Sequence, residues 1–111
     1  MPDDWAGIFF PAYLPQGYVF SAQQTAIDYL SITFARQQDT IIFREYSQQQ
    51  PVSLPAHATL SYVQWGDQIA LRAETPESVL LAWDQHGHTL SLICTSGDAM
   101  EIAASVKKLG E

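Results

Sequence analysis

Cysteine is nearly absent from this chain of 111 residues, in which Cys94 stands alone. A single thiol forms no disulfide within the chain and supplies no multi-cysteine metal site. The apolar neighbours of Cys94 predict a buried and inert thiol, because reactive cysteines lie in electropositive and partly exposed surroundings. Folding must therefore rest on a hydrophobic core, and a chain of this length has enough residues to form one.

Basic residues are also scarce, since five lysines and arginines stand against twelve aspartates and glutamates. The formal net charge is −7, and only Lys107 and Lys108 are adjacent in the sequence. A surface that binds nucleic-acid phosphates needs clustered lysine and arginine. We therefore expect no nucleic-acid partner.

Long apolar runs are missing too. The sequence contains no stretch of about 18 apolar residues, which is the length that a membrane-spanning helix needs. Its first residues, MPDDWAG, lack the basic start and the apolar centre of a signal peptide. If the domain acts outside the cytoplasm, we expect it to be a fragment of a longer chain that carries an upstream membrane anchor.

Recognisable catalytic patterns are absent. The chain has serine, histidine and aspartate, but it has no G-x-S-x-G elbow, no H-E-x-x-H pair and no glycine-rich phosphate loop. The acidic pair Asp3-Asp4 lies at the chain end, where we expect it to be solvated. The sequence therefore predicts a protein that is not an enzyme and that needs no cofactor.

The motif that comes closest to a metal site is His86-Gly87-His88, with Asp84 nearby. Two histidines one residue apart are able to face one ion, but protein zinc sites usually have three or four ligands. Glycine between two extended segments is also typical of a tight turn. We favour a hairpin turn with solvated histidines over a weak metal site.

Aromatic residues and prolines are concentrated in residues 5–18, WAGIFFPAYLPQGY, a segment that we call the strap. Pro11 and Pro15 remove two backbone donors and favour extended geometry in the residues before them, so the strap is neither a helix nor a central strand. Gly17 is expected to mark the turn into the first strand. If the strap leaves its aromatic side chains exposed, they are candidate interaction residues. They are Trp5, Phe9, Phe10, Tyr13 and Tyr18.

Alternation of apolar and polar residues predicts the strands. These strands cover residues 17–21, 27–35, 40–46, 59–65, 68–74, 79–84 and 89–95. In the second of them Leu30, Ile32 and Phe34 share one face, which we expect to be buried. The polar stretches 22–26 and 47–58 are predicted connections, and the second is the longest loop.

Two local features of the strands carry further expectations. Gly66-Asp67 lies between two alternating runs and predicts a two-residue hairpin turn, because glycine adopts the positive φ that the turn requires. Trp65 and Trp83 each lie on a predicted strand among apolar neighbours, where we favour packing over ligand contact.

Residues 96–109 form the best helix candidate. Asp98 and Glu101 are spaced as a capping box, and Ser96 is the competing candidate for the N-cap. An apolar stripe at helical spacing is expected to face the sheet. It consists of Ala99, Ile102, Ala103, Val106 and Leu109.

Together these elements predict a single α+β domain over residues 1–111. It begins with the aromatic and proline-rich part at 1–16. An antiparallel, twisted sheet of about six or seven strands follows over 17–95, because the connections are too short for helical crossovers. The C-terminal helix at 96–109 then packs on one face of that sheet.

Both ends of the chain resemble a known family. The core Y-L-P-x-G-Y lies in the strap, and the ending LLAWDQHGHTLSLICTSGDAMEIAASVKKL has a strand with a tryptophan, a second strand and a short helix. These features resemble the domain of unknown function 4367, which is found in bacterial membrane proteins, often as the extracytoplasmic part of anti-sigma-factor-like chains. The matching landmarks are Tyr13, Pro15, Gly17, Tyr18 and Trp83. The resemblance implies a non-enzymatic extracytoplasmic module and assigns no catalytic residue.

Three functions stay open at this point. The leading hypothesis is a sensory or protein-interaction domain of a membrane-anchored bacterial regulator, binding a protein, a peptide or an envelope component through its sheet or strap. The alternative is a small-ligand or lipid-binding domain, which predicts an apolar cavity of several hundred cubic ångströms between sheet and helix. The third is a module that only supports or spaces its parent chain.

Overall fold

The computed structural model describes residues 9–49, 51–85, 87–95 and 99–108. Within them the chain forms nine strands and one helix. In chain order these are β1 (Phe9–Pro11), β2 (Val19–Thr25), β3 (Tyr29–Arg36), β4 (Asp39–Tyr46), β5 (Thr59–Trp65), β6 (Gln68–Glu74), β7 (Val79–Gln85), β8 (His88–Cys94), α1 (Ala99–Ala104) and β9 (Val106–Lys108).

Seven of the strands form one open antiparallel sheet, in the order β2-β3-β4-β8-β7-β6-β5. Each half of the sheet is a meander of consecutive strands, β2 to β4 and β5 to β8. The halves are joined where β4 pairs with β8, with Phe43 opposite Leu92. The remaining strands, β1 and β9, form a separate two-stranded antiparallel pair. The predicted α+β class, with one antiparallel sheet and one C-terminal helix, is confirmed.

The hydrophobic core lies on one face of the sheet, which we call the inner face. Leu30, Ile32 and Phe34 of β3 are all buried there, as their alternation predicts. Helix α1 packs on this face against β7 and β8. Its contact side is formed by the predicted stripe residues Ala99, Ile102 and Ala103, which are buried. We call the opposite face of the sheet the outer face.

The predicted hairpins are confirmed. β3 pairs with β4, β5 with β6, and β7 with β8. Gly66 (φ 57°) and Gly87 (φ 82°) supply the left-handed backbone conformation in two of the turns. No regular element occurs between β4 and β5 in the described residues, which agrees with the predicted long loop at 47–58.

The first strand of the sheet is longer than predicted. Residues 22–25, expected to belong to a polar connection, continue β2, and Gln23 pairs with Ile32 of β3. Every residue of β2 is exposed, so this edge strand buries no apolar face. Strand β2 forms because its backbone pairs with β3. A strand of this kind cannot be predicted from an alternation of apolar and polar residues, because neither of its faces is buried.

The C-terminal helix is shorter than predicted. It ends at Ala104, and Val106 begins β9, whereas the pattern predicted helix through residue 109. The Ser105 hydroxyl donates a hydrogen bond to the Ile102 carbonyl oxygen (2.6 Å), and the Ser105 amide donates to the same oxygen (3.1 Å). Serine side chains compete in this way with the helical backbone bonds, and pairing of β9 with β1 then favours extended structure. Val106 of the predicted stripe is nevertheless buried.

Candidate functional site

Only part of the strap lies on the surface. Phe9 is 1% exposed and Tyr18 is 9% exposed, so both rings belong to the core, whereas Tyr13 is 41% exposed. Trp5 and the side chain of Phe10 lie outside the described residues. Among the candidate interaction residues that the structure describes, Tyr13 is therefore the one that reaches solvent.

Hydrogen bonds fasten the strap at both of its described ends. The amides of Ala12 and Tyr13 donate to the carbonyl oxygen (3.1 Å) and the hydroxyl oxygen (3.0 Å) of Ser105, between α1 and β9. Nearer β2, the Arg36 guanidinium lies 4.5 Å from the centre of the Tyr18 ring and donates to the Gln16 carbonyl oxygen (2.9 Å). The described part of the strap, residues 9–18, is therefore packed against the rest of the domain.

Of the histidine motif, Gly87 lies between β7 and β8, and His88 is half-buried as the first residue of β8. His86 lies outside the described residues, and Nδ1 of His88 is 2.8 Å from the Tyr46 carbonyl oxygen. Asp84 accepts a hydrogen bond from the Thr89 hydroxyl (2.7 Å). No group of three or more histidine, cysteine, aspartate or glutamate side chains among the described residues is arranged to hold a metal ion.

Cys94 lies on the inner face and is 2% exposed. Burial raises the pKa of its thiol from the ordinary value of 9.0 to about 12, because the thiolate loses its hydration. The thiol is thus protonated at neutral pH, as expected for an inert buried cysteine.

The feature best suited to binding is a groove of about 460 Å³ on the inner face, beside α1. Its floor is formed by side chains of β5, β6 and β7, and its wall by α1. The residues that line it are Val63, Trp65, Arg72, Val79, Leu81, Ala99, Met100, Glu101 and Ala104. In the described part of the chain, the six residues of α1 pack on β7 and β8, and the groove lies on the inner face beside them.

The groove is apolar at its floor and charged at its margin. The Trp65 ring packs edge-on against Trp83 at 5.4 Å between centroids, and Nε1 of Trp83 donates to Gln85 (2.9 Å). The guanidinium of Arg72 is bound by Glu74 (2.9 Å), which largely neutralises it. Glu101 is exposed at the helical wall, so these three charged groups sum to −1.

Trp65 and Trp83 therefore both pack against other side chains of the domain, as expected, and one of the two also faces the groove. Trp83 is buried in the core, whereas Trp65 is half-buried and lines the groove. The alternative hypothesis of an apolar cavity between sheet and helix matches this groove in its place and size. The residues that line it could not be predicted, because a helix of 96–109 would have covered more of the inner face.

Strand β5 borders the groove and forms one end of the sheet, so β6 is its only partner strand among the described residues. Its sequence, TLSYVQW, contains neither a charged residue nor a proline. Its register with β6 is continuous, whereas β2, at the other end of the sheet, has an irregularity between Phe20 and Ala22. Charges, prolines and bulges are the features that protect edge strands from pairing. Only β2 carries one of them.

The outer face of this same edge is also apolar. Leu60, Tyr62 and Ile69 are 54%, 76% and 57% exposed. Val63 and Trp65 turn to the inner face, since side chains alternate along a strand. A segment that added to β5 would thus meet apolar side chains on both faces.

No helix in the part of the chain that the structure describes is long and apolar enough to cross a bilayer. Compared with known proteins, the chain matches no family model and no curated protein.

Proposed function

We propose that the chain is a non-enzymatic protein-interaction domain. An extended peptide segment of a partner protein pairs with the outward edge of β5, which has no partner strand among the described residues, and places alternate side chains at the inner-face groove. The observation that carries this proposal is the position of an apolar groove directly beside an edge strand that lacks protecting features.

Strand addition provides both affinity and selectivity. The unpaired amides and carbonyls of an edge strand bind the backbone of an extended peptide, and pockets for alternate side chains select its sequence. Side chains of the added strand that turn to the inner face would lie next to Val63 and Trp65. The groove accepts apolar groups there and extends as far as Met100 on α1.

The charged residues at the margin of the groove indicate which charge the bound peptide segment should carry. Arg72 is already bound by Glu74, and Glu101 is an exposed carboxylate at the wall of the groove. The whole chain has a net charge of −7. We therefore expect the bound segment to be apolar in its alternate positions and to carry a lysine or arginine that approaches Glu101.

Selection of displayed random heptapeptides on the wild-type domain alone, followed by measurement on variants that were not used in the selection, tests the proposal. Affinity of a selected peptide, measured by titration calorimetry, should fall at least about tenfold with Val63→Lys. The matched control is Val19→Lys, which puts the same charge on the opposite edge strand and should leave affinity unchanged.

A second measurement avoids reliance on a variant that loses stability. Methylation of alternate backbone nitrogens in the selected peptide removes the donors that pair with β5, so one of the two methylation registers should abolish binding. If both registers bind as well as the parent peptide, or if Val19→Lys weakens binding equally, the proposed mode is wrong.

The setting of this domain is part of the proposal. The resemblance of the strap and the C-terminal segment to the domain of unknown function 4367 supports an extracytoplasmic domain of a membrane-anchored, anti-sigma-factor-like regulator. Gene fusions that report on which side of the membrane the domain lies, made in the full-length native gene, would test it. A cytoplasmic signal would contradict the setting and leave the peptide site unaffected.

A small apolar ligand is the second candidate, and the groove volume favours it. About 460 Å³ falls within the roughly 300–1,000 Å³ that is typical of small-molecule sites. A fluorescent fatty acid should then bind the wild-type domain with one-to-one stoichiometry. The substitution Met100→Lys should weaken this binding, whereas Tyr62→Lys on the outer face should not. Stoichiometric binding without protection of the β5 amides would favour this candidate over peptide addition.

A further inference from the structure

Arg44 lies on the outer face, on the far side of the sheet from the groove. It is paired across the central strands with Ser31 of β3 and Ser91 of β8, and both serines are buried. Neither neighbour carries a negative charge. The guanidinium carbon lies 4.6 Å from the centre of the Tyr29 ring, which packs edge-on against Tyr46 at 5.8 Å.

The hydrogen-bonding state of Arg44 differs from that of the other two arginines. Arg36 lies 3.6 Å from Asp39 and also bonds the Gln16 carbonyl, and Arg72 is bound by Glu74 at 2.9 Å. Arg44 has no acidic partner in the described residues. Its Nε is buried and has no acceptor there.

A half-buried cation without an anion is costly, because burial removes water from the charge and from its N–H donors. It is the more unexpected in a chain with a net charge of −7. The Tyr29 ring stabilises the cation through its face and offers no hydrogen-bond acceptor to the donors, which lie in the plane of the guanidinium. No hydrogen bond joins either terminal nitrogen of Arg44 to an acceptor in the described residues, so their in-plane edge is left for an external acceptor.

We propose that Arg44 is a binding site for a carboxylate, which bridges the two terminal nitrogens of the guanidinium while the Tyr29 ring holds the cation from one face. Guanidinium and carboxylate groups match in shape and form two parallel hydrogen bonds. The net charge of −7 repels a phosphate dianion more strongly than a singly charged carboxylate, so we expect the carboxylate to be preferred. This site is independent of the proposed peptide groove.

The test is a titration of the ¹⁵N-labelled domain with sodium acetate at constant ionic strength, observed at the arginine Nε–Hε resonances. The Arg44 resonance should shift and saturate. The resonances of Arg36 and Arg72 are internal controls, and they should stay in place because carboxylates already occupy them. Arg44→Lys removes that resonance, so its binding is followed through the backbone amide resonances of Ser31 and Ser91, and it should be about tenfold weaker because an ammonium forms no bidentate pair.

Three further titrations, with chloride, phosphate and a peptide, show which kind of anion binds at Arg44. Sodium chloride should cause no saturable shift, and inorganic phosphate should bind more weakly than acetate. A short peptide with a free C-terminal carboxylate, compared with its amide, distinguishes a peptide carboxylate from a free small acid. The proposal is overturned if acetate gives no saturable shift at Arg44, if chloride reproduces it, or if phosphate binds as tightly as acetate.

Discussion

Gly17 lies where the strap turns into β2, and its backbone φ is +95°. A Cβ at this position would lie 2.8 Å from Cδ of Arg36, the side chain that also packs on Tyr18. Substitution Gly17→Ala therefore combines backbone strain with a close contact. We expect it to lower the free energy of unfolding by about 1–3 kcal/mol, measured by urea denaturation.

Gly66 is the matched control for this prediction. Its φ of +57° lies in the same left-handed region, but a Cβ there would have no neighbour within 4 Å. Gly66→Ala should therefore cost only the backbone term, about 1 kcal/mol. Equal losses for both variants would show that the contact with Arg36 contributes nothing at Gly17.

The buried thiol leads to a second prediction at the same scale. Because the pKa of Cys94 is raised from 9.0 to about 12, the folded protein should hold roughly 10³-fold less thiolate than the unfolded chain near pH 8. Alkylation by iodoacetamide should be correspondingly slow and should speed up on addition of urea. Fast alkylation without urea would contradict the burial.

The same pKa shift sets the sign of a pH dependence. The folded state favours the neutral thiol, so this stabilising contribution is fully present below pH 9 and is lost as pH rises towards about 12. A Cys94→Ala variant lacks the group and should show a shallower loss of stability above pH 9 than the wild-type domain.

Among the elements, strand β1 has only three residues, so its backbone pairing contributes little. The side chain of Phe9 contributes most to holding it in place. Phe9 is 1% exposed, and its ring packs edge-on against His88 at 5.6 Å. Phe9→Ala should lower stability by about 3–5 kcal/mol, as is usual for removal of a buried phenylalanine. Thermal unfolding should show the loss.

Tyr13 is the control for the loss of stability expected for Phe9→Ala, because it lies in the same strap but its side chain is not buried in the core. Its side chain is half exposed, and Tyr13→Ala leaves the backbone bond to Ser105 in place. The loss should be about 1 kcal/mol or less, as for most surface substitutions. A large loss at Tyr13 with a small one at Phe9 would mean that the strap packs through its opposite side.

How well each element could be predicted depended on whether its own side chains decide its structure. β3 has a buried face, and Gly66 gives the β5–β6 turn its backbone angle, so local pattern was sufficient for both. β2 and β9 form because a partner strand pairs with their backbone. The end of α1 depends on Ser105, whose two hydrogen bonds to Ile102 no hydrophobic period reveals.

The candidate site is a property of the whole molecule, so the sequence offered a cavity between sheet and helix only as an alternative and did not place it beside β5. The groove depends on how much of the inner face α1 covers, and the free edge depends on the strand order. The one local sign was the run TLSYVQW, which lacks the charge or proline expected of an exposed edge strand. Its meaning is clear only once β5 is known to end the sheet.

The arrangement of the two meanders predicts the pattern of amide exchange across the molecule. β4 and β8 are paired on both sides at the centre of the sheet, so their amides should exchange most slowly, near the rate set by global unfolding. β2 and β5 are each paired on one side, and alternate amides that face outward should exchange fastest. Hydrogen exchange followed by NMR measures both groups in one experiment.

Amide exchange measured with and without a selected peptide tests whether the peptide pairs with the edge of β5. If the peptide pairs with β5, the outward amides of β5 gain acceptors and should slow at least about tenfold, while the outward amides of β2 serve as the control and keep their rates. Slowing on β2 alone would place the binding edge at the opposite end of the sheet. Uniform slowing of all strands would instead indicate global stabilisation by a ligand that adds no strand.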